Sequence, residues 1–502
     1  MKLENYIVRE IPTIPPDGLV GRRVITTTAE DITKENVREI LEEALSVHAV
    51  NASEISYLWD YYRGRQDIRK KEKYVRENIN NKVTVNRANE IVTFKTAYLL
   101  NEPICYVSAG GSDAVSKQVE SLNRYMRAED KESKDKEIVD WMHICGVAER
   151  LVLPDRDSGV SYGAPFVIYT IDPRDAFVIY NARIGRRPMA GVILQTDKDN
   201  KQYATVYTDK TCFTVTADDV EAEDHVIGYI PLVEYPNNME RMGAFEAVIP
   251  ILNSINMLES NALDSVQDYV NGFDVFQNCD IEDGAYSQLG IGGKAVKIKT
   301  VTQGMEAKVY RVASELNQSG VQQRVDDLTN DYLTICGMPN RNGGSSTSDT
   351  GQAVIFRDGW SEAESRANNT GKLYKRSERR FLQVALQICG SLRDLSGLDI
   401  GDIEINFARK SLNNLQSRFQ CFMEGIGSDR VHPKCVFDAF GDIFGDKTEA
   451  YNMSMKWRTE QEQEAERLLT QELDRERERI SNGRAVQTGR QNPVAPESDD
   501  TP

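Results

Sequence analysis

An α+β fold is predicted for this 502-residue chain on three observations. Several long segments carry apolar residues three and four positions apart, which is the spacing of an amphipathic helix. Residues 151–235 instead form a run of short strand-like segments separated by turn residues. From 239 to 395 the predicted order is helix, small β module, helix, polar loop and helix, and this order is unusual for an enzyme.

The N-terminal third is predicted to be mostly helical after an extended arm. The first 35 residues are rich in proline, threonine and charge, which is typical of such an arm. Apolar spacing predicts a helix from residue 37, a break at 51–53 and a second helix that ends at 59–65. Further along, the pattern predicts a helix at 91–98, a strand at 104–107 and a helical stretch at 117–151.

The strand region contains six runs of β-branched and aromatic residues. Turn residues such as those at 197–200 separate the runs, which predicts an antiparallel meander. Within this region we interpret 155–159 as a β-turn, because a calcium-binding loop would need further oxygen ligands and a closing glutamate. The predicted strands are 166–169, 176–180, 191–194, 204–207, 212–215 and 226–230.

Two long helices are predicted on either side of a compact β segment at 272–312. The first extends from about residue 239 to 269, and the second from 313 to 337. Met338 and Pro339 end the second helix, because proline lacks an amide donor and disfavours helix in the residue before it. The second helix packs on one side only, since its apolar stripe is Val321, Val325, Leu328, Tyr332 and Ile335.

A glycine- and serine-rich loop at 340–351 follows, and two interpretations of it stay open. It is either a disordered surface connection or a functional loop, as structureless loops of this length usually are one or the other. In the second case its hydroxyls, amides and Arg341 would touch a phosphate backbone weakly without reading bases. It has no aromatic residue to stack on bases.

The C-terminal part is predicted to be helical except for a strand at 402–407. The segment 368–371 should weaken or kink the helical stretch 351–395, because glycine destabilises a helix by about 1 kcal/mol relative to alanine. Near the end of 411–480, acidic and basic residues alternate at i,i+3 spacing, either as a solvated face or as a surface for a partner helix. The low apolar content of 481–502 predicts disorder.

Composition excludes several classes of protein. The length allows two to four domains. A net charge of -17 argues against a protein that coats nucleic acid, because phosphate binding depends on Lys and Arg. The eight cysteines show no C-x-x-C spacing and the N-terminus has no apolar signal region, so we expect reduced thiols in a cytosolic protein. No apolar run approaches the roughly 20 residues that span a bilayer, so we expect no membrane role.

No catalytic residue, metal ligand or cofactor site is predicted. The phosphate-binding pattern G-x-x-x-x-G-K-[S/T] does not occur, so we expect no ATP hydrolysis. The four histidines lie far apart in sequence, and there is no G-x-S-x-G turn for a serine nucleophile. An enzyme with an unrecognised site, for instance a nuclease that uses scattered carboxylates, stays open as an alternative.

Seven short segments, in this order along the chain, resemble those of the portal proteins of tailed bacteriophages, in the type common to long-tailed phages of Gram-positive hosts. The resemblance covers most of residues 50–470. Asn101 stands where that family usually has glycine, and Thr350 and Gln352 also depart from its pattern. The matching segments are 61–68 (YYRGRQDI), 80–86 (NNKVTVN), 98–103 (YLLNEP), 171–180 (IDPRDAFVIY), 350–356 (TGQAVIF), 405–409 (INFAR) and 424–428 (EGIGS).

The resemblance implies a portal-like fold, in which an α/β wing, a two-helix stem, a small β-containing clip, a long helix with a tunnel loop and a helical crown follow one another. On this basis we divide the chain as follows: 1–39 N-terminal arm, 40–236 first part of the wing, 237–271 stem helix, 272–312 clip, 313–338 stem helix, 339–351 tunnel loop, 352–410 second part of the wing, 411–480 crown and 481–502 disordered tail.

The resemblance also implies a function. The chain would form a ring, usually of twelve subunits, at one capsid vertex, through which a separate terminase ATPase pumps double-stranded DNA. Other expected partners are a head-completion or adaptor protein and the major capsid and scaffolding proteins. Another head-tail connector or capsid structural protein without the tunnel loop is the alternative.

Two sets of site residues follow from this interpretation. Lys294, Lys297 and Lys299 would dock a partner on the clip, since Lys297 and Lys299 share one face of a predicted strand. The residues expected to face DNA in the tunnel loop are Asn340, Arg341, Asn342, Gly343, Gly344, Ser345, Ser346, Thr347, Ser348 and Asp349.

Overall fold

The structure of the chain is a computed structural model. It describes residues 21–74, 77–109, 113–155, 163–270, 273–280, 299–302, 304, 306, 308–312, 318–340, 359–391, 395, 397–407, 415–428, 430–444 and 447–488. The described residues form two compact units, Met1–Arg409 and Lys410–Pro502. The predicted α+β class is confirmed, because helices and several small sheets alternate along the first unit.

Ten helices are described. In the first unit they are α1 (Val37–Tyr62), α2 (Arg87–Leu99), α3 (Asp113–Ala128), α4 (Lys131–Cys145), α5 (Ile249–Val270), α6 (Gln318–Cys336) and α7 (Trp360–Ser391). In the second unit they are α8 (Leu415–Ile426), α9 (Pro433–Phe440) and α10 (Lys447–Thr488). None of the helices in the described ranges is both long and apolar enough to cross a membrane.

The described strands form five sheets. A six-stranded sheet has the order β1 (Ile25–Thr27), β5 (Ala176–Asn181), β6 (Pro188–Thr196), β7 (Gln202–Tyr207), β8 (Thr211–Val215) and β9 (Val220–Asp224). A three-stranded sheet has the order β10 (Leu232–Pro236), β3 (Val147–Pro154) and β4 (Phe166–Ile171). Three pairs complete the set: β15 (Ile403–Phe407) with β2 (Ile104–Ser108), β11 (Phe273–Gln277) with β14 (Lys308–Val312), and β12 (Cys279–Asp280) with β13 (Lys299–Thr300).

The predicted antiparallel meander is present from β5 to β9, where each strand pairs with the next along the chain. One predicted strand is wrong, because 226–230 is not a strand and β9 and β10 lie on either side of it.

The predicted helical stretch 117–151 is also wrong at its end. Gly146 ends α4 with a φ of +89°, and an added Cβ there would lie 2.0 Å from the Arg241 carbonyl oxygen. The chain then continues as β3.

The N-terminal arm is part of the first unit. Its strand β1 pairs parallel to β5, with Ile25 opposite Ile179. The predicted break at 51–53 is wrong, since α1 is continuous through it. The Asn51 side chain accepts a hydrogen bond from the Arg23 amide and donates one to the Arg23 carbonyl, each 2.9 Å long. Asparagine often ends a helix because its side chain competes for backbone hydrogen bonds. Here the Asn51 side chain is bound to the backbone of the arm, so the helix continues.

The first of the two predicted long helices begins later than expected, at Ile249 rather than near residue 239. A hydrogen-bonded turn occupies the start of the predicted range, where the Asn238 side chain accepts from the Met242 amide at 2.8 Å. Gly243 then packs against α4, because an added Cβ would lie 2.4 Å from the Ile144 carbonyl oxygen. The Glu246 carboxylate accepts from the Gly243 amide at 2.8 Å, and the helix follows.

The second predicted long helix, α6, ends at Cys336 as expected, while residues 313–317 lie outside the described residues. Both helices contribute to one hydrophobic core with α1 and α2, through buried residues such as Leu252, Ile255, Val325 and Leu328. The one-sided apolar stripe of α6 is thus confirmed for Val325, Leu328 and Tyr332, whereas Ile335 is exposed.

Two further corrections concern the C-terminal half. The helix α7 continues through 368–371, where weakening was predicted, and its face there packs on the rest of the first unit: Gly371 and Tyr374 are buried. The last helix, α10, continues to Thr488, inside the segment 481–502 that was predicted to be disordered; residues 489–502 lie outside the described residues.

Candidate functional site

The end of α6 has a glycine cap that directs the chain into the 340–351 loop. Gly337 has a φ of +63°, which an L side chain rarely adopts. Its amide donates to the Thr334 carbonyl at 3.0 Å, and the Met338 amide donates to the Leu333 carbonyl at 2.8 Å. These two bonds form a Schellman motif, in which Met338 and Leu333 are both buried in the core. The point at which the loop leaves α6 is therefore fixed.

The start of α7 is attached to the same point by Arg366. Its Nη1 donates to the Ile335 carbonyl at 2.5 Å, and its Nε donates to Glu362 Oε1 at 2.7 Å. An added Cβ on Gly337 would lie 2.4 Å from Arg366 Cδ, so the guanidinium group lies directly against the cap. We call residues 334–340 and 359–366 the α6–α7 joint, since they hold the two ends of 341–358.

Aromatic side chains attach the joint to α2. Phe94 and Tyr98 stack with ring centroids 5.6 Å apart, and Trp360 lies 6.1 Å from each of them. The Tyr98 hydroxyl also donates to Glu364 Oε2 at 2.9 Å. Together these contacts bind the first turns of α7 to the first unit.

Of the predicted loop residues, only Asn340 is within the described residues. Its Nδ2 donates to Asn330 Oδ1 of α6 at 2.8 Å. The predicted loop residues Arg341, Asn342, Gly343, Gly344, Ser345, Ser346, Thr347, Ser348 and Asp349 lie outside the described residues. Of the predicted docking lysines, Lys299 lies in β13 opposite Asp280, while Lys294 and Lys297 lie outside the described residues.

A polar face of α5 holds the segment 66–86, and sequence reasoning missed it. Asn256, Ser260 and Asp264 occur every four residues, so they lie on one helix face. Asn256 Oδ1 accepts from the Val85 amide at 2.8 Å, and Ser260 Oγ accepts from the Val83 amide at 2.9 Å. This spacing of short polar residues beside an apolar stripe was the available signal.

Asp264 is the most strongly bound member of this face. Its carboxylate accepts hydrogen bonds from the Asn81 amide and the Asn81 side chain, each 2.7 Å long, and lies 2.9 Å from the Lys71 ammonium. Burial by itself would raise the pKa of Asp264, but Lys71 and Asn81 stabilise the ionised form and lower that pKa to about 2. The C-terminal half of α5 is thus held to residues 71–81 by charge-assisted hydrogen bonds.

A buried ionic cluster anchors α7 to α4 and β3. Arg150 Nη2 lies 2.6 Å from Asp135, and Arg150 Nη1 lies 3.3 Å from Glu378. Lys131 lies 2.6 Å from Asp135 and 2.8 Å from Glu378. The two cations balance the two carboxylates, and three tyrosine hydroxyls donate to the same carboxylates. These tyrosines are Tyr106, Tyr235 and Tyr374.

The protonation states in this cluster agree with a structural role. Burial by itself would raise the pKa of Asp135, but Lys131 and Arg150 lower it, so the carboxylate stays ionised. Burial raises the pKa of Tyr106 well above its ordinary value, so that hydroxyl stays protonated as a donor. Groups that are held in one charge state and hydrogen-bonded to one another are suited to rigidity rather than to proton transfer.

The two buried histidines are also held in one state. Burial lowers the pKa of His48 to about 4 and that of His143 to about 3, and the Lys95 cation contributes to the second shift. Within the described part of the chain, no group of three or more His, Cys, Asp and Glu residues is placed to hold a metal ion. Cys105, Cys145, Cys336, Cys421 and Cys435 are free thiols.

Comparison with known proteins identifies one family. A family model described as phage portal protein, SPP1 Gp6-like, matches residues 42–467, which span most of the chain. No curated protein matches the chain. Among solved structures, a chain from the neck of an empty GTA particle, computed with C6 symmetry, is similar at 9% identity and a TM-score of 0.38; the match covers 70% of this chain and 89% of that chain.

Proposed function

Because the chain belongs to the SPP1 Gp6-like family of phage portal proteins, we propose that it forms a closed ring at one capsid vertex, through which double-stranded DNA is packaged and later ejected. The family match over residues 42–467, which span most of the chain, is the observation that carries this proposal. The family is structural rather than enzymatic. We assign the chain to the type found in long-tailed phages of Gram-positive hosts.

The charge of the chain supports a channel. Each subunit has a net charge of -17, so a ring of twelve would carry about 200 negative charges. Such a field repels phosphate, and DNA therefore passes through without being gripped. The helices α5 and α6 form the stem in this proposal, and neighbouring subunits repeat head to tail until the ring closes.

The loop residues from Asn340 to Asp349 act on the passing DNA in this proposal. The α6–α7 joint supports that role, because the Gly337 cap and Arg366 hold both ends of 341–358 to one place. Glycine and small polar residues in the loop can follow a moving phosphate backbone without reading bases.

The other partners follow from the same proposal. The clip, with Lys294, Lys297 and Lys299, docks the terminase large subunit during packaging and the head-completion or adaptor protein afterwards. The wing and crown contact the major capsid and scaffolding proteins. The ring is assembled in the host cytoplasm and remains in the virion at the portal vertex. A separate motor hydrolyses ATP.

Electron microscopy of the purified protein tests the ring. We expect closed rings with a stem and an axial channel to form without any other component. Stable monomers at micromolar concentration would contradict the proposal. Rings without a stem would favour the alternative of another connector.

The role of the loop is tested in a packaging reaction with terminase, capsid shells and DNA. Deletion of 343–348, or Arg341→Glu, should leave the rings intact and change how much DNA is packaged or retained. A matched control is Arg127→Glu, at an exposed position of α3. If the loop variants fail to form rings while the surviving rings package normally, the loop is an assembly element.

A further inference from the structure

A cavity of about 250 Å³ adjoins the α6–α7 joint. Cys336, Gly337 and Arg366 belong both to the joint and to the cavity wall. The remaining walls come from α2, the His143 position of α4, the turn at Asn237 and further residues of α7. Five separate segments therefore meet around one cavity that is open to solvent on one side, and none of the functions proposed above uses it.

The wall of this cavity has an unusual charge. Two cationic side chains, Lys95 and Arg366, line it, and no carboxylate does among the lining residues that the structure describes. This contrasts with the whole chain, in which 78 acidic residues exceed 61 basic ones. His143 adds no charge, because its pKa lies at about 3. The described lining therefore carries two cations, of which Arg366 is also paired with Glu362 just outside it.

Lys95 is the least compensated cation of the two. None of the described residues forms a hydrogen bond or an ion pair with its ammonium group. Burial lowers the pKa of Lys95, the Cys336 thiol opposes that effect, and the nearby Arg366 cation adds to it. The comparable lysines Lys71 and Lys131 each contact a carboxylate within 3 Å. A partly buried cation without a counter-ion favours the binding of an anion.

Arg366 supplies the second half of an anion site. Its Nε is bound to Glu362 and its Nη1 to the Ile335 carbonyl. A guanidinium group has five N–H donors, so donors remain for an oxyanion. The apolar wall formed by Phe94, Leu99 and Leu373 lowers the local dielectric constant around the partly buried Lys95, whereas the Arg366 side chain is 43% exposed and stays partly solvated.

We propose that this cavity binds a phosphate group between Lys95 and Arg366. Two cations that line one cavity suit a doubly charged oxyanion, because each can form a charge-assisted hydrogen bond to it. The phosphate belongs either to a free ion or to the backbone of double-stranded DNA. The proposal goes beyond the portal function.

The first experiment measures thermal unfolding of the full-length protein in inorganic phosphate and in chloride at equal ionic strength. We expect phosphate to raise the Tm of the wild type. The Lys95→Met variant should bind phosphate at least about tenfold more weakly, whereas Lys117→Met, at an exposed position of α3, should behave as the wild type does. An equal response of wild type and Lys95→Met, or no response of the wild type, would overturn the proposal.

The second experiment needs no variant. Acetylation of individual lysines is followed by mass spectrometry, and phosphate should slow the reaction at Lys95 but not at the exposed Lys117. A short double-stranded oligonucleotide is then tested in the same way. Protection of Lys95 by the oligonucleotide identifies the DNA backbone as the source, and protection by inorganic phosphate alone identifies a free ion. Unchanged acetylation of Lys95 with both probes would contradict the site.

Discussion

The two units of the chain bury their side chains to different degrees. In the unit Met1–Arg409, even charged residues such as Arg150 and Glu378 are completely buried and have ionic partners. In the unit Lys410–Pro502, the described core consists of Phe422, Val436 and Phe437 with a few partly buried neighbours. The helix α10 leaves large apolar residues exposed: Met453, Trp457, Leu468, Leu469 and Leu473.

The two units therefore differ in how their apolar and charged side chains are stabilised. The first unit completes its cores within one chain, so a substitution there acts on the free energy of unfolding. The second unit exposes apolar side chains that a monomer does not cover, and exposed apolar patches of this kind mark interaction surfaces. We therefore expect substitutions on α10 to act on assembly rather than on folding.

The largest effect is expected for Arg150→Met. This change leaves Asp135 and Glu378 with only Lys131 as a cation, and breaking a buried ionic cluster in this way destabilises a protein by about 3–5 kcal/mol. Urea unfolding followed by tryptophan fluorescence measures it, in a Trp457→Phe background so that the fluorescence reports on the first unit alone. The exposed Lys136 provides the control, since Lys136→Met should cost less than about 1 kcal/mol. Equal losses in the two variants would break the comparison.

A smaller loss is expected at the α6–α7 joint. Gly337→Ala places a Cβ 2.4 Å from Arg366 and forces a residue with a side chain into the left-handed region, which costs about 1–2 kcal/mol for the backbone alone. Gly390→Ala is the matched control, because Gly390 lies inside α7 with open space around it. That change should be neutral or stabilise the helix by about 0.5–1 kcal/mol. The same unfolding experiment measures both, and a neutral Gly337→Ala would show that the cap is not fixed.

The pH dependence of stability sharpens the comparison further. Asp264 has a pKa of about 2 in the folded protein, which is below the ordinary aspartate value. The ionised Asp264 therefore adds to the free energy of unfolding above about pH 4, and this contribution is lost as the pH falls from about 4 to 2. Solvent screening limits it to about 1–2 kcal/mol. Asp264→Asn should remove this part of the pH dependence, whereas Asp326→Asn, at an exposed position of α6, should not. Parallel pH profiles of wild type and Asp264→Asn would contradict the assignment.

The smallest effect on unfolding is expected in the second unit. Replacing Leu468 and Leu469 by glutamine should change the free energy of unfolding by no more than about 0.5 kcal/mol, because both are more than half exposed. The same variant should form fewer rings in native mass spectrometry. Glu466→Gln on the same helix is the control for assembly. A loss of more than about 1 kcal/mol in dilute monomer would show that these leucines are packed within the chain.

Local patterns in the sequence predicted many of the elements. The strands β5 to β8, the helix α2 and the strand β15 follow from alternation or helical spacing within single segments. The predicted end of α6 was also right, because glycine and proline act on the backbone locally. The wrong boundaries share another cause. Asn51 continues a helix because it binds Arg23, and residues 239–245 form a turn because Gly243 packs on Ile144. In both cases the deciding partner is distant in sequence.

For the candidate site too, the sequence predicted the local feature and not the long-range contacts. The glycine and serine content of the loop from Asn340 indicated its place between two helices. Nothing local indicated that Arg366 would cap α6, that Tyr98 would bind Glu364, or that Lys95 would line a cavity without a carboxylate. These features depend on which polar and charged side chains come into contact after folding. A single sequence does not specify those contacts.

The α+β class, many of the helices and strands, the acidic charge and the place of the polar loop were predictable from the sequence, because each depends on residue type and short-range spacing. The tertiary structure decided which polar residues became buried partners, where α1 continued and α5 began, and how both ends of the loop were held. The physical reason is that burying a charge or an amide is tolerated only when a partner is present, and that partner comes from another part of the chain.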